Sequence, residues 1–404
     1  DNPNFTTKNG VLFSNTMELL FVPQALIRGE YTIPEGTMSI ANNVFKGCNG
    51  LTSVKIPDSV ASIGTGAFSG CKYLKSVILP RNISTINPEL FSGCSNLRSV
   101  SISPSVVEIG DSAFYWCKKL VSIELPAGMT VISRSLFDGC ENLESISIPN
   151  SVTSIASYAF CGCKKLKSVE IPEGVLSIGD SAFRACTILN EVSLPTSLFS
   201  IGEKTFGECD LLEKISLSED NKHFFVNGGI LYDHEGNLLA VAPKCLSNEV
   251  VVQEGTRTIH RNSFENCKNI HSVIIPDSVV VIDCDVFDGC ENMTSITLSY
   301  NLKAISYGTF NGCSALQLIS IPEGVKYIGR NAFNGCTSLT SISIPNSVIS
   351  IEDDSFCDCE SLASVTVSSN NKYYHSIEGS LFNREMVLVC VPKACIEGIY
   401  HIPE

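Results

Sequence analysis

The side chains in this chain best suited to chemistry are its nineteen cysteines, which could serve as disulfide partners, metal ligands or nucleophiles. Thirteen of them stand three residues after a Phe: Cys48, Cys71, Cys94, Cys117, Cys140, Cys163, Cys186, Cys209, Cys267, Cys290, Cys313, Cys336 and Cys359. Those Phe residues recur in steps of 23 from Phe45 to Phe206 and again from Phe264 to Phe356. Equivalent Cα atoms on stacked repeats would lie about 5 Å apart, within disulfide reach, so distance alone leaves bridges open. Thirteen thiols cannot all pair among themselves, however, and one recurring small apolar slot suits a buried, inert free thiol. Six cysteines lie off this lattice: Cys161, Cys245, Cys284, Cys357, Cys390 and Cys395. Cys161 and Cys357 form C-x-C with ladder members, but no second Cys or His pair stands at zinc-finger spacing.

The other reactive residue types form no constellation. His223, His234, His260, His271, His375 and His401 share no spacing and include no H-E-x-x-H, and they read as surface or cassette residues. Asp233-His234-Glu235-Gly236-Asn237 lacks the alternating ligands and distal Glu of a calcium loop, and reads as a turn. Asp353-Asp354 and Asp283-x-Asp285 read as solvated acidic faces. There is no P-loop, dinucleotide-binding glycine pattern or G-x-S-x-G elbow. The expectation is a protein that is not an enzyme, with no catalytic residue, cofactor or metal.

A net charge of −14 argues against nucleic acid and against an anionic membrane surface as partners, because both are bound mainly through Lys and Arg. Hydrophobic residues make up 44% of the chain, yet no apolar run approaches the roughly 18 residues needed to cross a bilayer. No membrane insertion is expected of this segment.

The elements that must position these residues follow from the 23-residue period. In the unit Phe68–Leu90 the regularly spaced apolar positions are Phe68, Cys71, Leu74, Val77, Leu79, Ile83 and Ile86. Leu74-x-x-Val77-x-Leu79 alternates like a short half-buried strand, and a Pro such as Pro80 ends it. Asp180 ahead of Phe183, and Gly two residues after Phe in units such as Phe68, predict a 3₁₀ or single-turn helix around each Phe. Seven buried apolar side chains at roughly 2 kcal/mol each cannot offset the ordering of 23 residues at roughly 1–2 kcal/mol apiece. A lone unit therefore cannot fold, and the units must stack into a solenoid.

One solenoid over residues 1–404 is expected. Residues 34–217 hold eight 23-residue repeats and 253–367 five more. Residues 1–33, 218–252 and 368–402 are related cassettes, and 403–404 begin another repeat. In each cassette a Gly (Gly10, Gly229, Gly379) precedes an apolar strand, a polar turn and a second strand, which predicts an inserted β-hairpin projecting from the solenoid. Its aromatics, Phe13, Tyr232 and Phe382, are expected to pack on the adjoining rung. Because the ends fall inside the repeat lattice, the chain reads as a piece of a longer array.

The unit LKSVILPRNISTINPELFSGCSN, with siblings reading S-V-x-I-P-x-S-V-x-x-I-G-x-x-A-F-x-G-C-x-x-L, resembles the BspA-like class of leucine-rich repeats, and the cassettes look like those of the same family. The resemblance implies a right-handed, curved, β-rich solenoid with its short strands on the concave face. It also implies a secreted or cell-surface protein that binds host matrix or surface proteins in adhesion. A glycan-binding module and a passive spacer within a longer surface protein are the competing readings. Candidate ligand positions are Lys55, Glu124 and Glu170, set among small residues such as Ser99 and Ser101 on the strand face, and the pair Tyr115-Trp116, where the only Trp replaces the usual Gly. The bland alternatives are relief of crowding by the small residues and packing of Trp116 over the next rung.

Overall fold

The computed structural model describes residues 2–393; Cys395, His401 and the expected repeat start at 403–404 lie outside them. Two compact units are present, one running to Leu212 and including Ser216–His223, the other comprising Glu213–Ile215 and the described residues from Phe224 onward. Each is a β-solenoid of 23-residue rungs.

A rung carries two short strands where the sequence predicts one. Ser76–Ile78 and Thr85–Ile86 belong to the same rung, and each pairs in parallel, in register, with its counterpart 23 residues on: Val77 opposite Val100, Ile86 opposite Ile109. The second strand buries only one side chain, the Ile. Two residues are too few for a period-2 pattern to register.

The helical turn expected around each Phe is also replaced. Around Phe68 alternate amides point in different directions. The N–H groups of Gly66, Phe68 and Gly70 donate to carbonyls of the next rung, Pro88, Leu90 and Ser92, while those of Ala67, Ser69 and Cys71 close local turns onto Gly64, Gly66 and Phe68. Positive φ at Gly66 (62°) and Gly70 (71°) produces the alternation. An α-turn would aim every N–H along its own axis and leave the neighbouring rung without partners. The one helix lying wholly within the described residues is the three-residue 3₁₀ turn Gln24–Leu26, in the first cassette.

The core is a set of ladders running from rung to rung. In the first unit the rings from Phe45 to Phe206 stack with centroids 5.0–5.9 Å apart and planes within 18°. In the second, Phe264 to Phe356 stack at 5.2–5.7 Å. Such offset stacks add about 0.5–1.5 kcal/mol per pair beyond the area they bury. The glycine of the recurrent Ile-Gly pair has a steric cause in the first unit: a Cβ on Gly179 would meet the Ser157 backbone nitrogen of the preceding rung at 2.5 Å.

The cassettes are three-stranded meanders, not projecting hairpins. Phe5–Lys8, Val11–Ser14 and Glu18–Phe21 pair antiparallel, and Glu18 then pairs in parallel with Ser39, so the last strand continues the short-strand sheet. Phe224–Asn227, Ile230–Asp233 and Asn237–Val241 repeat this, with Asn237 opposite Thr258. Tyr374–Ile377, Ser380–Asn383 and Leu388–Cys390 form the third meander. Joining the sheet gives the strand a partner ladder that a free hairpin would leave to water. Phe13, Tyr232 and Phe382 are buried, and Tyr232 joins the core that runs on through the rungs of the second unit.

Candidate functional site

All thirteen ladder thiols are free and buried. From the second rung of each run, the Cys Sγ donates to the carbonyl of the preceding Phe: Cys71 to Phe45 at 3.0 Å, Cys94 to Phe68 at 3.1 Å, Cys290 to Phe264 at 3.1 Å. The same Phe45 carbonyl accepts the Cys48 N–H at 3.0 Å. A small apolar side chain with a weak donor thus satisfies the second lone pair of a buried carbonyl. Burial, which disfavours the thiolate, pushes Cys290 and Cys359 up to about 12 and Cys94, Cys140, Cys163 and Cys313 well above the usual thiol range. These thiols stay protonated at neutral pH, so they are poor nucleophiles and poor ligands. Of the off-lattice cysteines, Cys245 and Cys357 are exposed and Cys161, Cys284 and Cys390 half-buried.

Other candidate groups have structural partners. The Asp233 carboxylate accepts the backbone N–H of Glu235 (2.9 Å) and of Asn237 (2.8 Å), which makes the segment a turn. Asp354 pairs with Arg330 and Asp285 with Arg261, each at 3.0 Å, across adjacent rungs. Among the described residues no group of three or more His, Cys, Asp or Glu side chains is arranged to hold a metal.

The five candidate ligand residues do not converge. Lys55 ends the strand Leu51–Lys55 and forms a 2.7 Å ion pair with Glu30. Glu170 faces outward from Ser168–Glu170, opposite Ser193. Glu124 is exposed on a rung between them. All three occupy the same repeat position, separated by two or three rungs, although the Glu124 rung carries no assigned long strand. Trp116 and Tyr115 lie instead on the Phe–Cys turn, with ring centroids 6.0 Å apart. Trp116 is 47% exposed, yet its ring closes over Gly139, where a Cβ would meet Cδ1 at 2.6 Å. Lys118 Nζ sits 4.6 Å from the Trp116 ring centroid.

The outward positions of neighbouring long strands form short rows. Ser53, Ser76 and Ser99 are paired in register. Ile78, 74% exposed, lies beside Ser101. In the second unit Val251, 64% exposed, pairs with Ile274, which pairs in turn with Thr297.

A second feature emerges only after stacking. In the turn between the ladder Cys and the long strand, five consecutive rungs of the first unit carry eight basic and two acidic side chains. Lys72 and Lys75 share one rung and Arg98 stands on the next. Lys118 and Lys119 follow, and Lys164, Lys165 and Lys167 crowd the last. A backbone ladder holds this edge together: Arg98 N–H donates to Lys75 O at 2.8 Å and Glu144 N–H to Val121 O at 3.1 Å. Glu141 is bridged from both sides, by Lys118 at 3.1 Å and Lys164 at 3.4 Å. The Lys118 hydrogen bond is the main cause that lowers the Glu141 carboxyl below its ordinary range. The rows Lys118-Lys119 and Lys164-Lys165-x-Lys167 carry the signal in the sequence, but the whole-chain charge hides it.

The model of the BspA type leucine rich repeat region matches in six copies, over residues 29–144, 130–227 and 257–386. The chain belongs to this family. Among solved structures it is similar to a leucine rich cell surface protein of Faecalibacterium prausnitzii, at 28% identity over 91% of this chain and 96% of that one, with a TM-score of 0.72. A leucine-rich repeat protein of Bacteroides ovatus is 26% identical over 91% and 87% of the two chains, TM-score 0.56. The pneumococcal vaccine antigen PcpA shares the fold at 19% identity over 94% and 89%, TM-score 0.58. No curated protein matches significantly. Proteins of this BspA-type repeat family are generally non-enzymatic interaction scaffolds. Among the described residues no helix is long and apolar enough to cross a membrane.

Proposed function

We propose that this BspA-type chain is a non-catalytic scaffold, secreted or held at the cell surface, that binds a protein partner through the outward face of its long strands. The observation that carries the reading is the register of that face. Ser53, Ser76 and Ser99 stand in register on three neighbouring strands, with exposed apolar anchors at Ile78 and, in the second unit, at Val251 beside Ile274. Such a face offers hydrogen-bonding groups at the strand spacing of about 4.8 Å, matched to an extended polypeptide, while its apolar anchors supply contact area. A protein of the host matrix or host surface fits the adhesive role implied by the family resemblance, and the F. prausnitzii relative is itself a cell-surface protein.

The reading is tested by two measurements on the native host. Protease treatment of intact cells should degrade the chain, and the immobilised chain should retain a specific protein from a panel of matrix and serum proteins. An intact chain after protease, together with no retained protein, overturns the proposal.

A further inference from the structure

We infer that the basic edge of the first unit is a binding surface for a linear, sulfated or carboxylated glycan, a site that adjoins the long-strand face at Ser76 and Ser99 and is carried by a bounded charge patch on which the protein-binding reading does not rest. The chain as a whole carries −14, yet this edge concentrates +6 on five rungs, spanning roughly 20 Å at the strand spacing. The flanking rungs have no cations at these positions: Asn49, Gly50 and Thr52 precede the edge, and Thr187, Ile188 and Asn190 follow it. The charge is therefore a bounded patch, opposite in sign to the rest of the molecule.

The charge is also available. Lys118 and Lys164 are taken up by Glu141, but Lys72, Lys75, Arg98, Lys119, Lys165 and Lys167 make no ion pair among the described residues. All six are exposed. Cations on adjacent rungs are carried by backbone about 4.8 Å apart, inside the Debye length of about 8 Å at physiological ionic strength, so their fields add toward a polyanion.

Three features select a glycan among polyanions. Ser76 and Ser99 open the strands that directly follow Lys75 and Arg98 and offer neutral hydroxyl partners. Tyr73, 56% exposed, stands on the patch as a flat apolar surface on which a sugar ring can rest. The outward acidic residues Glu124, Glu144 and Glu170 border the cations. They break the positive field along the edge, which disfavours a partner held by charge alone and favours one that also hydrogen-bonds through neutral hydroxyls between its anionic groups.

The test uses the whole chain against immobilised heparin as the sulfated probe, with neutral dextran, single-stranded DNA and polyglutamate as comparison arms. Heparin is expected to bind more tightly than DNA or polyglutamate, with dextran inert. Affinity should fall with salt at a log–log slope of about −3 to −5, the value for four to six ion contacts at roughly 0.7–0.9 each. Lys75→Glu/Lys119→Glu/Lys165→Glu should weaken binding at least tenfold. The reversal of Lys268 and Lys326 in the second unit, as Lys268→Glu/Lys326→Glu, should change it less than twofold. Should the first triple variant fold poorly by circular dichroism, Lys75→Gln/Lys119→Gln/Lys165→Gln is expected to weaken binding at least fivefold. No heparin binding at low salt, tighter binding of DNA or polyglutamate, or equal losses in both units would overturn the assignment.

Discussion

Each Phe carbonyl in the ladder that faces a following rung accepts two bonds, from the backbone N–H three residues on and from the Cys thiol one rung later. The cysteine is thus chosen for size and a weak donor, and its reactivity is suppressed by burial. Cys94→Ala should cost about 1–2 kcal/mol in equilibrium unfolding, the sum of a small cavity and one lost buried bond; no measurable change would show the thiol to be mere filler. The pH dependence follows with a definite sign. Buried ladder thiols such as Cys94, Cys140, Cys163 and Cys313 have folded pKa values raised above the ordinary 9.0, to about 12 for Cys290 and Cys359. Between those values the unfolded chain loses protons that the folded chain keeps, so the stability these thiols contribute is full below about pH 9 and falls as pH rises toward 12. Denaturant midpoints measured from pH 8 to 11 should decline steadily, and a flat profile would contradict the buried-thiol account.

At the scale of elements, the cassettes depend on one side chain that reads as ordinary turn chemistry in the sequence. In the third cassette, buried Asn371 donates through Nδ2 to the carbonyls of Pro345 (2.8 Å) and Val348 (3.0 Å), and its Oδ1 accepts the N–H groups of Tyr373 and Tyr374, each at 2.8 Å. Asn221 holds Leu198 O at 2.9 Å in the same way. Asn371→Ala removes four hydrogen bonds to buried backbone, and a loss of about 2–4 kcal/mol is expected by chemical denaturation; a loss below 0.5 kcal/mol would show that water replaces it. The rung was legible because Phe, Cys, Leu and Ile recur at fixed offsets. Its turn was not, because the left-handed positions fall on Glu89, Ser112 and Trp116 as readily as on glycine, and the pattern therefore lacks a residue-type signature. The meander was half-legible: Val11–Ser14 reads as a strand, but exposed Phe5–Lys8 carries no buried face to announce it.

At the scale of the molecule, stability is built from neighbouring rungs, so register matters more than length. Removing residues 137–159 joins Leu136 to Phe160 and preserves every ladder; this variant should fold with a single cooperative transition and native-like circular dichroism. Removing 137–157 instead displaces Phe and Cys from their stacks, and that chain should not fold cooperatively. Equal behaviour of the two deletions would refute the rung as the structural unit. The surface was the least legible part. Lys75 and Lys119 are far apart in sequence and meet along one edge only when the rungs stack, while a net charge of −14 points the other way. Conversely, Trp116 stands out as the only Trp, but its ring is occupied with Gly139 and Lys118.

The most direct test of the interaction scaffold is to measure the affinity of the retained protein partner for the chain before and after Ser76→Arg/Ser99→Arg, which blocks the outward rows of the long strands while leaving the buried ladders intact. A drop of at least tenfold with an unchanged melting temperature is the result expected. Unchanged affinity in a folded variant would contradict the claim that this face does the binding.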